Sequence, residues 1–164
     1  NAGTYPIADT FTLADPTDLT KKFRFDGVGI SASNTRVLTI QDSDLTVAGI
    51  NVAQEFTATQ NFNATTLTDA STIAWDASAN QVTSVTLGGN RTLGASTNQV
   101  DGGVYVISVI QDGTGGRTLS FNSNYKFAGG TAPTVTSTAS ARDVFVFMSN
   151  GTNMFEIGRS QNVS

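Results

Sequence analysis

The chain has 164 residues, 38% of them hydrophobic and only 13% charged, with a formal net charge of −4. It holds no cysteine and no histidine, which excludes disulfides, thiolate metal sites and the usual imidazole base or zinc ligand. Its nine Lys and Arg are scattered, so it lacks the basic patch of a phosphate-backbone binder, and nucleic acid is not an expected partner.

Roughly a third of the chain is Thr, Ser or Asn, and sixteen residues are Gly, a bias that favours strands and turns over helices. The opening NAGTYPIADTF has no basic end followed by an apolar run and no initiator Met. No signal peptide is expected there, and the chain is read as processed or trimmed. The longest apolar stretch, Val104 to Ile110, is interrupted by Ser108. It falls far short of the ~20 residues a membrane helix needs, so no membrane insertion is expected.

Residues 1–50 read as an extended arm with a hairpin. In KKFRFDG, Phe23 and Phe25 alternate with charged residues and share a strand face; in TRVLTIQD, Leu38 and Ile40 do the same. Two such strands are marginal alone, so another surface must cover them. Residues 51–67 contain a short internal repeat, EFTATQ followed by NFNATT. Its even period places Phe56, Ala58, Phe62 and Ala64 on one side of a strand. Either this is chance similarity in a low-diversity chain, or it is a narrow neck where copies of the chain bury these side chains around an axis.

Residues 68–158 read as one compact β domain, a sandwich or barrel, followed by a tail at 159–164 that either frays or leads into a further segment. The predicted strands are Ser71–Trp75, Gln81–Leu87, Gly103–Gln111, Arg117–Asn122, Asp143–Ser149 and Met154–Gly158. GVYVISVIQ and DVFVFMS are apolar on both faces, as central strands are, whereas VTSVTLGG and RTLSF alternate. The segments WDASANQ, LGGNRTLGAS, DGTGG and SNGTN carry turn chemistry.

The glycine-rich QDGTGGRTLSF, Gln111 to Phe121, raises the question of a phosphate-binding loop. In the G-x-x-x-x-G-K-[ST] pattern the first glycine would fall at position 111, which is Gln, and the lysine position holds Arg117. RTLSF continues as a strand, so the expectation is a hairpin turn between two strands. Asp42 and Asp44 start like a calcium loop but lack its later ligands, and they read as turn residues beside Asp15, Asp18, Asp101 and Asp112. No metal, cofactor or catalytic residue is expected: no carboxylate pair has an evident shared cleft and no Ser–Lys motif is recognisable. Sugar binding without catalysis is a further possibility. Tyr125 and Lys126 in NSNYKFAGG are candidate receptor contacts, with Tyr125 open between core and surface; Trp75 is expected in the core.

Phe11 to Gly49, with ADPTDLTKK, RFD, TRVLT and DSDLT, resembles a segment common in phage fibre and other virion appendage proteins. TIAWDASANQVTSVTLGGNRTLGASTN, GGVYVISVIQDGTGGRTLSFNSNYKFAGGTAPT and DVFVFMSNGTNMFEIG resemble the carboxy-terminal domain often carried by such fibres, and the phenylalanine repeat resembles their necks. The resemblance implies an all-β homotrimer at the virion surface. Its amino-terminal part would dock on capsid or tail proteins, and its outer β domain would be displayed for host or surface attachment, with a host-surface glycan as a candidate partner. No long shaft separates neck and tip, which keeps a capsid decoration protein open as an alternative. A carbohydrate-binding module is the second alternative.

Overall fold

The computed structural model describes residues 12–14, 16–20, 22–24, 31, 34–37, 53 and 59–163. The chain divides into two compact units, Asn1–Glu55 and Phe56–Ser164. In the first, β1 (Thr12–Ala14) pairs antiparallel with β2 (Lys22–Arg24), with Leu13 opposite Phe23. The turn between them is capped by Asp18, whose Oδ1 accepts the Thr20 amide at 3.0 Å. Among the described residues, KFR of the KKFRFDG segment therefore pairs with the upstream TLA. Of the expected second strand, Arg36 and Val37 are in no strand, and Leu38 and Ile40 lie outside the described residues, as does Phe25.

The second unit is β throughout, with no α-helix among its described residues. Its strands are β3 (Ala64–Thr66), β4 (Thr72–Asp76), β5 (Val82–Leu87), β6 (Arg91–Thr97), β7 (Asp101–Gln111), β8 (Leu119–Phe121), β9 (Tyr125–Lys126), β10 (Arg142–Asn150) and β11 (Met154–Val163). They form a six-stranded sheet, ordered β3-β5-β7-β10-β11-β9 and curled into a half-barrel, and a three-stranded sheet, β4-β6-β8.

From β3 to β8 the chain alternates between the sheets, so no strand pairs with its sequence neighbour. Every pairing in this stretch is parallel: β3 with β5, β5 with β7, β4 with β6 and β6 with β8. Parallel strands need a long crossover; here each crossover is itself a strand of the opposite sheet. The order changes at β10, which is antiparallel to β7 and forms a hairpin with β11. In that hairpin turn Asn150 Oδ1 accepts the amides of Thr152 and Asn153, and Gly151 takes a positive φ of 82°.

Alternation along the strands builds the core. On β7, Tyr105, Ile107 and Val109 are buried, and on β10 Phe145 and Phe147 are solvent-free. They meet Ile73 and Trp75 of β4, Leu87 of β5 and Leu93 of β6 in one apolar cluster. The Trp75 indole Nε1 donates to the Asn80 carbonyl at 2.8 Å, so this expected core residue buries its polar atom with a partner.

Three expectations need correction. β6 runs through a segment that reads as a turn, because Gly94 lies inside it. A Cβ at Gly94 would stand 3.1 Å from the Ile73 carbonyl oxygen, so glycine is there for close backbone approach. The DGTGG turn joins β7 to β8, which belong to different sheets, so it is a corner between layers and not a hairpin. The tail does not fray after Gly158: β11 continues to Val163, opposite Arg142. Asp143 fastens it, accepting the Asn162 amide at 2.8 Å on Oδ1 and the Thr136 amide at 2.7 Å on Oδ2.

Candidate functional site

The segment after β8 turns back so that β9 adds to the edge of the six-stranded sheet, parallel to β11. Asn122 Oδ1 accepts the Asn124 amide at 3.1 Å and shapes this turn. The result is a cleft of about 390 Å³ lined by Phe121, Asn122, Ser123, Tyr125, Lys126, Phe127, Gly130 and Ala132.

Its floor is aromatic. Phe121 and Phe127 meet edge to face, with centroids 4.9 Å apart and planes at 68°, and both are partly buried against the core. Phe121 also meets Tyr125 edge to face at 6.0 Å. The rim is polar: Asn122 and Ser123 are exposed, and Lys126 Nζ donates to the Ser123 carbonyl at 2.7 Å. Gly129 and Gly130 carry the chain past the mouth with φ of 67° and 73°. Chemically this is partly open ring surface bordered by amide, hydroxyl and ammonium groups, a combination suited to a small polar ligand with an apolar face.

Tyr125 and Lys126 both line this cleft, but Tyr125 is not the exposed stacking ring that a receptor contact requires. It is 4% exposed, its ring is stacked on Trp75 at 6.3 Å and 16°, and its hydroxyl donates to the Gly94 carbonyl at 3.0 Å. Burial pushes its phenol well above the usual range. The available ring surface belongs to Phe121 and Phe127, which sequence reading passed over. The signal was the spacing of Phe127 two residues from Tyr125, which gives the two rings a common strand face. Lys126 is exposed, as a contact residue must be.

Of the predicted contacts between copies, Phe62 is 60% exposed and Ala64 is exposed on β3. Phe23 lies in β2; Phe25, Phe56 and Ala58 lie outside the described residues. Ala64 to Leu67, read from sequence as the end of the neck, join the domain: β3 pairs with β5, and Leu67 is buried in the core.

The glycine loop turns the amides of Thr114, Gly115 and Gly116 to acceptors of its own chain. Asp112 Oδ1 accepts the amides of Thr114 and Gly115 at 3.0 and 2.8 Å, and the Gly116 amide donates to the Ser137 carbonyl at 2.7 Å. Arg117 is held by the same carboxylate, Nη2 to Oδ2 at 2.8 Å. Its guanidinium, with the turn amides, keeps the Asp112 carboxyl below its ordinary value. Among the described residues no three acidic side chains gather at one point, and no helix is long and apolar enough to cross a membrane. Asp42 and Asp44 lie outside the described residues.

No curated protein and no solved structure matches the chain significantly. Residues 46–154, well over half of the chain, match the family described as "Putative phage tail fibre C-terminal domain". The matched span runs from upstream of β3 to the start of β11 and so takes in the three-stranded sheet, the aromatic cleft and the half-barrel strands other than β11. The chain belongs to the phage tail fibre C-terminal domain family and is a structural fibre protein of a phage virion.

Proposed function

We propose that the chain is a short homotrimeric fibre or spike on the virion surface. Its amino-terminal unit docks on tail or capsid proteins, and its β domain holds the Phe121–Phe127 cleft towards a host-surface glycan. The observation that supports attachment most directly is that cleft: two partly open rings bordered by Asn122, Ser123 and Lys126. A sugar ring presents one apolar C–H face and an edge of hydroxyls, and such a floor and rim answer both. One shallow cleft binds weakly, and three on one body raise avidity through effective concentration. The role is binding without catalysis.

The test compares the full chain with Lys126→Ala and Asn122→Ala on host cells and on a panel of immobilised surface glycans. Both side chains stand outside the core, so both variants should stay folded, Lys126→Ala with unchanged melting and Asn122→Ala with a small loss from its turn cap, while binding falls at least tenfold. Equal binding by all three proteins would remove the cleft from the mechanism. A wild-type chain that binds no cell or glycan but associates with capsids lacking it would favour capsid decoration.

A further inference from the structure

The outer face of the six-stranded sheet is uncharged, and two of its rows are apolar where an isolated domain would be polar. Register places Val104, Met148 and Phe155 in one row across β7, β10 and β11. A second row crosses from Ala64 through Val82 and Val106 to Val146. The third, from Thr66 through Ser84 and Ser108 to Val144 and Ser160, is uncharged as well. Val104 is 43% exposed, Met148 45%, Phe155 38% and, at the bulge in β11, Ile157 55%. Charge begins only at the borders, with Lys126 opposite Phe155 on β9 and Arg142 opposite Ile110.

From these pairings we infer that this face is where copies of the chain meet. The inference deepens the oligomeric part of the fibre reading and is independent of the cleft. Five strands about 4.8 Å apart and three rows about 6.6 Å apart span roughly 480 Å². Counted whole, the face is uncharged, and its apolar share, the first two rows, is about half of that area. The whole face is more than half of the roughly 800 Å² each partner contributes to a standard interface. The remainder has an evident source in the same chain. β3 is the edge strand of this sheet, Ala64 sits in the second apolar row, and the exposed Phe62 lies two residues upstream. Phe62 and Ala64 both come from the second half of the repeat, so the sheet face continues into that half. A face without charge is met at least cost by another face without charge, and a second copy supplies one.

The full chain allows a direct test. Met148→Lys/Ile157→Lys places two charges on the face without touching the core, and its mass is measured by light scattering beside wild type and Phe62→Ser. Trp75 fluorescence and melting confirm that the domain remains folded. Because the chain has no cysteine, Met148→Cys also provides a single thiol for a short bis-maleimide, with Ala95→Cys on the three-stranded sheet as control. The expected result is an oligomeric wild type, a folded double variant whose mass falls towards one chain, and at least tenfold more cross-linked product from Met148→Cys than from Ala95→Cys. A folded double variant of unchanged mass, or equal cross-linking at the two sites, would overturn the inference. If mass falls only in Phe62→Ser, contact between copies stands on the repeat alone and the sheet face is excluded. A wild type that stays one chain at every concentration overturns both.

Discussion

The hydroxyl of Tyr125 donates to the carbonyl of Gly94 across 3.0 Å, joining β9 of the half-barrel to β6 of the three-stranded sheet. The bond fixes where the cleft can form, because Tyr125 carries Phe121 on one side and Trp75 on the other. Tyr125→Phe keeps both ring contacts and leaves the Gly94 acceptor without this donor. It should cost about 1–2 kcal/mol, read as a lower urea midpoint with an unchanged slope. Tyr125→Ala removes the ring as well and should cost about 3–5 kcal/mol. Equal stability of Tyr125→Phe and wild type would mean that the hydroxyl contributes nothing to joining the sheets.

Asp143 is 2% exposed, yet its carboxyl is held below the ordinary value. Burial alone would raise it; the Asn162 and Thr136 amides, with the Gln161 side chain, outweigh that effect. A carboxyl with a depressed folded pKa stabilises the fold above its unfolded value, about 3.9, and that contribution is lost as pH falls through the folded value. Asp69, Asp76 and Asp112 are depressed too and act in the same direction. Wild type should therefore lose stability progressively below about pH 4. Asp143→Asn should be less stable at pH 7 by about 1–3 kcal/mol, with the gap to wild type narrowing towards pH 2. A gap that stays constant with pH would contradict the role assigned to the charge.

Gly115 and Gly113 share one loop and should respond oppositely to alanine. At Gly115, φ is 71° and a Cβ would meet the Ser137 carbonyl oxygen at 2.6 Å and the Ala139 amide nitrogen at 2.7 Å. The backbone there cannot give way without moving the 137–139 segment. Gly115→Ala should lower stability by at least about 1–3 kcal/mol. Gly113 has open space around it, and Gly113→Ala should lie within about 0.5 kcal/mol of wild type. Thermal melts of the two variants test the corner geometry without reference to any ligand.

The β6 segment shows where reading the sequence stops. RTLGAST has Leu93 and Ser96 buried, with Gly94 buried between them. Alternation is broken by a glycine whose purpose is visible only once Ile73 stands beside it. The tail poses the same difficulty in milder form: RSQNV has no apolar rhythm, and it is a strand because β10 offers an edge and Asp143 binds its amide.

Composition and alternation by themselves determined that the chain is β-built, that β7 and β10 are its central strands, that Trp75 is interior and that the glycine loop is a turn. Each of these depends on local chemistry: side-chain period, turn residues and the burial of an indole. The fibre family was legible as well, from motifs that survive without the fold. Only the tertiary structure decided that successive strands alternate between two sheets, that DGTGG is a corner, that Tyr125 turns inward, and that Phe121 and Phe127 come together as the floor of a cleft. Those outcomes depend on contacts between residues distant in the chain. A strand pattern says which face is apolar but not which partner will cover it.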